Sequence, residues 1–129
     1  MNYKQSLLIA ALLGAITVAI GAFGAHALRP GLEAAGRLDT FETGVKYQMY
    51  HTLAIFLTGL LQIQRPHKLL NRASLFFLLG ILIFSGSLYT LSLSGITKLG
   101  AFAPIGGVLL IVGWICLAFS IAKLPDSAN

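Results

Sequence analysis

Along this chain the charged residues are confined to short islands between long apolar runs. Ser6 to Leu28 contains no Asp, Glu, Lys or Arg, and neither does Ala73 to Thr97 or Leu99 to Ala122. A bilayer core about 30 Å thick takes about 20 helical residues to cross. Each run is long enough. A fourth apolar stretch, Tyr47 to Ile63, carries more polar residues, and its flanks extend it to spanning length over Phe41 to Gln64. The pattern predicts an all-α protein, a four-transmembrane-helix bundle running up-down-up-down with short connecting loops. One integral-membrane domain takes up 1–129, with helices over 5–28, 40–64, 71–94 and 102–124.

Turn chemistry punctuates these spans. Pro30, Pro66 and Pro125 follow the first, second and fourth, where a helix stops, and Pro104 sits near the start of the fourth, where a missing N–H matters little. Asp39-Thr40-Phe41-Glu42 reads as a capping box opening the second helix. The connection from Arg29 to Thr40 is the longest and has room for a short interfacial helix. The first run, with Lys4 before it and Ala25-His26-Ala27 near its end, loosely mimics a signal peptide. Signal cores run ~7–15 residues, and this run is longer, so an uncleaved first helix is expected.

Periodicity then assigns faces. At 100° per residue, Thr40, Gly44, Tyr47, His51, Thr58 and Gln62 share one sector of the second helix, opposite Leu53, Phe56 and Leu60. Polar groups are unfavourable against lipid, so the first set is expected inside and the second outside. Ser85, Tyr89 and Ser92 make a shorter polar face on the third helix. Small residues mark the other two: Ala10, Gly14, Gly21 and Ala25 on the first, Gly106, Gly113 and Ser120 on the fourth. Gly14, Gly21, Gly106 and Gly113 are therefore expected at close helix contacts.

The chain is 57% hydrophobic and 10% charged, against about 25% charged in globular domains. Its formal charge of +5 comes from bases scattered over helix ends and short loops. That distribution points to topology and lipid headgroups rather than nucleic acid. Lys4, Arg65, Lys68, Arg72 and Lys123 fall on one side, and Arg29, Arg37, Lys46 and Lys98 on the other. The positive-inside rule then places both termini in the cytoplasm. Cys116 is the one cysteine and has no intramolecular partner.

His26 and His51 are the side chains most able to carry chemistry, because an imidazole in hydrocarbon could bind a ligand or pass a proton. They compete with a plain structural reading: His51 bonded to a hydroxyl such as Ser85 or Tyr89, and His26 capping a helix end. A zinc site wants three protein ligands, and Glu42, the available third, is already explained by its cap position and its spacing to Lys46. No metal site and no cofactor is assigned. Glu42, Tyr47, His51, Ser85 and Tyr89 are expected to form one connected polar cluster in the non-cytoplasmic half, with His26 at its rim. No phosphate loop or nucleophile elbow is found.

Gly21-Ala22-Phe23-Gly24-Ala25-His26, Tyr47-Gln48-Met49-Tyr50-His51-Thr52-Leu53-Ala54, Phe84-Ser85-Gly86-Ser87-Leu88-Tyr89 and Pro104-Ile105-Gly106-Gly107 together resemble the YgdD-like family of small bacterial inner-membrane proteins, a domain of unknown function. The resemblance covers essentially the whole chain. It implies a four-helix inner-membrane protein and no particular reaction. Three functional readings follow. The leading one is a non-enzymatic protein whose partners are membrane lipids, a second copy of itself or another membrane protein. The others are a small transporter or channel lined around His51, and a histidine-based binder of heme, quinone or lipid.

Overall fold

A computed structural model describes residues 1–123, which form five α-helices and, among the described residues, no strand. They are α1 (Tyr3–Ala25), α2 (Arg29–Ala34), α3 (Leu38–Gln64), α4 (Lys68–Ser94) and α5 (Ala103–Ala122), with a 3₁₀ turn at Thr97–Phe102 leading into α5. Leu124, predicted to end the fourth helix, and Pro125, predicted to follow it, lie outside the described residues.

Helix ends depart from expectation where side chains offer better caps. Asn2 and Gln5 form a reciprocal capping box at α1, with bonds of 2.9 and 3.0 Å. The box expected at Asp39–Glu42 does not form. Gly36, at a φ of 65°, turns the chain tightly enough that α3 begins at Leu38 behind an uncapped Arg37. Asp39 and Thr40 therefore sit inside the first turn, and the Asp39 carbonyl accepts from Thr43 Oγ1 at 2.8 Å. Pro30 does not end α1, which stops at Ala25; it opens α2 instead. His67 caps α4, its Nδ1 accepting from the Leu69 N–H at 3.1 Å, and that helix starts at Lys68 rather than at 71. Gly95, at φ 77°, closes α4 in the left-handed conformation.

The long helices associate in chain order, α1 on α3, α3 on α4, α4 on α5. Neighbours run antiparallel: Gly24 meets Phe41 while Gly59 meets Leu7, and Gly106 meets Phe84 while Gly113 meets Phe77. Ala10, Ile55, Ala73, Phe77, Ile81 and Leu110 form the centre of the core. Outside it, Leu8, Val18, Phe23, Leu57, Leu82, Ile111 and Phe119 are all exposed. Three helical stretches, Tyr3–Ala25, Lys68–Ser94 and Thr97–Ala122, are long and apolar enough to cross a membrane, with mean hydropathies of 2.4, 1.9 and 2.4. In that setting the exposed side chains are the lipid-solvated surface.

The 27 residues of α3 are as long as those of α4 but less apolar. Its polar residues are mostly turned inward: Gln48, His51, Thr52, Thr58 and Gln62 are buried, while Leu53, Phe56 and Leu60 are exposed. Tyr47 departs from the expected face, at 41% exposed. On α1 the buried residues are Ser6, Ala10, Thr17 and Gly24, and the expected Ala25 is exposed. The real stripe is rotated because Thr17, which closes its own hydroxyl onto the Leu13 carbonyl at 2.6 Å, packs like a small residue.

Candidate functional site

The polar and aromatic residues of α3 meet α4 and α5 at two levels. Toward the start of α3, Gly44 allows the Tyr89 ring of α4 to lie against its backbone. The Gly44 carbonyl accepts from Ser85 Oγ at 2.7 Å, and Tyr89 donates to Gln48 Oε1 at 2.9 Å. Phe41 covers the pair, its ring 5.2 Å from that of Tyr89.

Two turns on, His51 is 6% exposed and bonded at both ring nitrogens. Trp114 Nε1 of α5 donates to His51 Nε2 at 3.1 Å. An indole can only donate, so Nε2 is the unprotonated nitrogen and the proton sits on Nδ1. Nδ1 then donates to the Tyr47 carbonyl at 2.7 Å. Phe77 lies under both rings, 5.7 Å from His51 and 5.1 Å edge-on to Trp114. Tyr47 lies 5.9 Å from the imidazole and 4.8 Å from Phe84. An open groove of about 620 Å³ runs along this cluster between α3 and α5, floored by His51 and Leu110 and walled by Tyr47, Tyr50, Phe84 and Trp114.

The residues expected to form one cluster divide. Ser85 and Tyr89 bond Gly44 and Gln48 rather than His51. Glu42 is half-exposed and lies 4.0 Å from Lys46 in a surface pair on its own helix. His26 is an exposed residue after α1, its backbone N–H bonding Ala22 and Phe23. Among the described residues no group of His, Cys, Asp or Glu is gathered as a metal would need. Two partners escaped the sequence reading, Gln48 and Trp114. Gln48 was hidden between the wheel positions chosen. Trp114 sits one residue past Gly113, so the edge of the small-residue stripe was its available signal.

Of the four glycines expected at contacts, Gly106 is pressed onto the Phe84 backbone and Gly113 onto the Phe77 ring. Gly21 and Gly14 lie more loosely: a methyl group there would meet Val45 at 3.4 Å and Thr52 at 3.9 Å. Gly44, expected on the inward face of the second helix, and Gly24, Gly59 and Gly80, for which no contact was expected, are each closer to a neighbour than Gly14.

An all-helical chain with spanning helices and polar groups folded inward belongs to the class of integral membrane proteins. Within it, residues 20–107 match the family described as Protein of unknown function (DUF423), and the chain belongs to that family. It is similar to a "UPF0382 membrane protein" of Haemophilus influenzae, 42% identical over 120 residues that cover 93% of this chain and 95% of that one. The Bacillus subtilis "UPF0382 membrane protein YwdK" is 38% identical over 93% of this chain and 98% of its own. The Escherichia coli "UPF0382 inner membrane protein YgdD" is 37% identical, over 96% and 94% respectively. No solved structure matches.

Proposed function

We propose that this chain is a four-span inner-membrane protein, an up-down-up-down bundle with both termini in the cytoplasm, that acts without catalysis. Its partners are other membrane components, reached through its outer helix faces. The observation that carries this reading is the bonding of His51. With one nitrogen on the Tyr47 carbonyl and the other on Trp114, the imidazole has no lone pair left for a heme or metal and no vacant site for a relayed proton. Thr58 likewise closes onto the Ala54 carbonyl at 2.6 Å. A transport path needs polar groups exchangeable with a solute, and these are committed to the protein.

Topology is supported by charge. The end that holds the start of α1, the end of α3 and the start of α4 carries Lys4, Arg65, Lys68 and Arg72, with Lys123 after α5. Among the described residues, the acids Glu33, Asp39 and Glu42 lie with the bases of the opposite end.

Photo-crosslinking residues at the exposed Leu12, Ile105 and Ile111, in growing cells, test the reading. Discrete adducts with one protein, or with a second copy, are expected. Absence of adducts together with solute flux in proteoliposomes above protein-free vesicles, abolished in His51→Leu, overturns it in favour of transport. A second reading rests on the open groove beside Tyr47, Tyr50 and Trp114, which has the volume and aromatic walls for a flat lipid-soluble ring such as a quinone. Quenching of the single Trp114 on titrating such a ring would favour it.

A further inference from the structure

Three helices agree on the depth of His51. It is the middle residue of the 27 in α3. Thr52, next to it, faces Gly14, the middle residue of the 23 in α1. Trp114, bonded to it at 3.1 Å, is the twelfth of the 20 residues of α5. In a core about 30 Å thick this level lies about 15 Å from either headgroup layer. Tyr50 stands at that level and is 58% exposed. Tyrosine collects at the two membrane interfaces, where its ring is buried and its hydroxyl reaches water. At half depth a phenol is too short to reach either interface. Around it, Trp114 donates to His51 and His51 to the Tyr47 carbonyl, while the Tyr50 hydroxyl takes part in no hydrogen bond among the described residues. A hydroxyl left single in hydrocarbon is unfavourable.

Beside Tyr50, at the same depth, lies the open groove between α3 and α5, with Ile111 and Trp114 on its α5 side. We propose that two copies of this chain meet here, the Tyr50 ring of each seated in the groove of the other and its hydroxyl bonded to a phenol of the other copy. This deepens the reading of a protein that acts through its outer faces, and rests on it. Copies inserted in one orientation are related by a two-fold axis along the membrane normal, which keeps every residue at its own depth. The projecting ring and the recess share one depth, so a second copy brings each opposite the other. Another membrane protein would need an aromatic side chain of its own at that level. A phenol both donates and accepts, so the second copy also carries the missing partner: Tyr47, its ring 6.0 Å from that of Tyr50, is exposed as well. A site for a free ring encloses most of its ligand. This groove is open along its length, which suits a ring held on a neighbouring helix. The seat uses no atom of the bond between His51 and Trp114.

The test is energy transfer between donor- and acceptor-labelled full chains in liposomes, followed as lipid dilutes the protein, with photo-crosslinking from Ile111 in growing cells. The unaltered chain should dimerise, and the Ile111 adduct should have the mass of two chains and join Ile111 to the segment that holds Tyr50. Tyr50→Phe keeps the ring and removes two bonds per dimer, and should weaken association about sevenfold at the least. Tyr50→Ala, which removes the projection, and Ile111→Trp, which fills the recess, should each leave a monomer. Both positions are exposed, so the thermal midpoint of the detergent-solubilised monomer should stay unchanged in both variants. Leu12→Ala, on the exposed face of α1, should leave the dimer intact. A monomer at every dilution, or dimers of Tyr50→Ala and Ile111→Trp as tight as those of the unaltered chain, would overturn the proposal. So would an Ile111 adduct with a different protein, or quenching of Trp114 by a quinone in a chain that stays monomeric. Discrete protein adducts from Leu12 or Ile105 in any of these cases would leave the proposed function standing while this face fails.

Discussion

The seam between α4 and α5 and the seam between α1 and α3 are both lined with glycine, yet they hold in different ways. On α5, Gly106 brings the helix against the Phe84 backbone, Gly113 receives the Phe77 ring, and Gly80 of α4 receives Leu110. The same side of the molecule is laced by side-chain bonds between helices: Ser85 to Gly44, Tyr89 to Gln48, Gln62 to Ser74 and Trp114 to His51. At the α1 seam, Gly24 and Gly59 are tight but Gly14 and Gly21 are not. Thr17 turns its hydroxyl onto its own helix, and the buried hydroxyls of Ser6 and Thr52 have no partner. Small residues alone let helices approach. What fixes α3, α4 and α5 to one another is contact between backbones together with polar groups that have nowhere else to bond in hydrocarbon.

The comparison breaks hardest at Gly106. A side chain there collides with backbone, which cannot rotate away, so Gly106→Leu should cost about 3 kcal/mol or prevent folding altogether. The check is the yield of monodisperse protein and its thermal midpoint. Gly14→Leu, facing only a Thr52 methyl at 3.9 Å, should cost under ~1 kcal/mol. Equal losses in the two variants would erase the distinction between the seams.

Next in size is the bond between Ser85 and the Gly44 carbonyl. Interhelical bonds in a membrane are worth ~0.6–1.7 kcal/mol, and Ser85→Ala should cost an amount in that range. Thr17→Ala removes a hydroxyl of equal burial whose acceptor is in its own turn, and should be near neutral. Unfolding of both variants in denaturing detergent separates them.

The His51–Trp114 pair sharpens the same point. His51→Leu and Trp114→Phe should each destabilise, and the double variant should lose less than the sum, by ~0.6–1.7 kcal/mol. Additive losses would mean that the 3.1 Å contact contributes nothing beyond aromatic burial.

These seams were unequally legible in the sequence. The inward face of α3 could be read because polar residues recur at helical spacing among apolar ones, which gives a wheel real contrast. Tyr47 was the exception: a phenol can sit at a boundary with its ring on Phe84 and its edge outside. The face of α1 was harder to read, because nearly every residue is small or aliphatic and Thr17 packs as a small one, so its stripe was placed along Gly14, Gly21 and Ala25 rather than Thr17 and Gly24. The strict spacing of Gly106, Gly113 and Ser120 located the buried face of α5. The partner of His51 could not be located that way. Which donor reaches an imidazole depends on how α5 crosses α3, and a hydroxyl on α4 was as plausible by spacing as an indole on α5. The capping of α3 failed for a local reason, the left-handed Gly36 bringing the helix start forward to Leu38.

The smallest effect carries the most information about α1. Replacing a mid-helix glycine by alanine gains about 0.5–1 kcal/mol when the site has room, because the unfolded chain loses freedom and the helix gains a better former. At Gly14 an added methyl meets only Thr52 Cγ2 at 3.9 Å, an ordinary contact. Gly14→Ala should therefore raise the thermal midpoint slightly. At Gly113 the same change drives a methyl to 2.6 Å from the Phe77 ring, and it should lower the midpoint. Opposite signs for one substitution at two glycines would establish that α1 is seated with slack while α5 is locked. A drop at Gly14 as large as that at Gly113 would mean that α1 closes on α3 as tightly as α5 closes on α4.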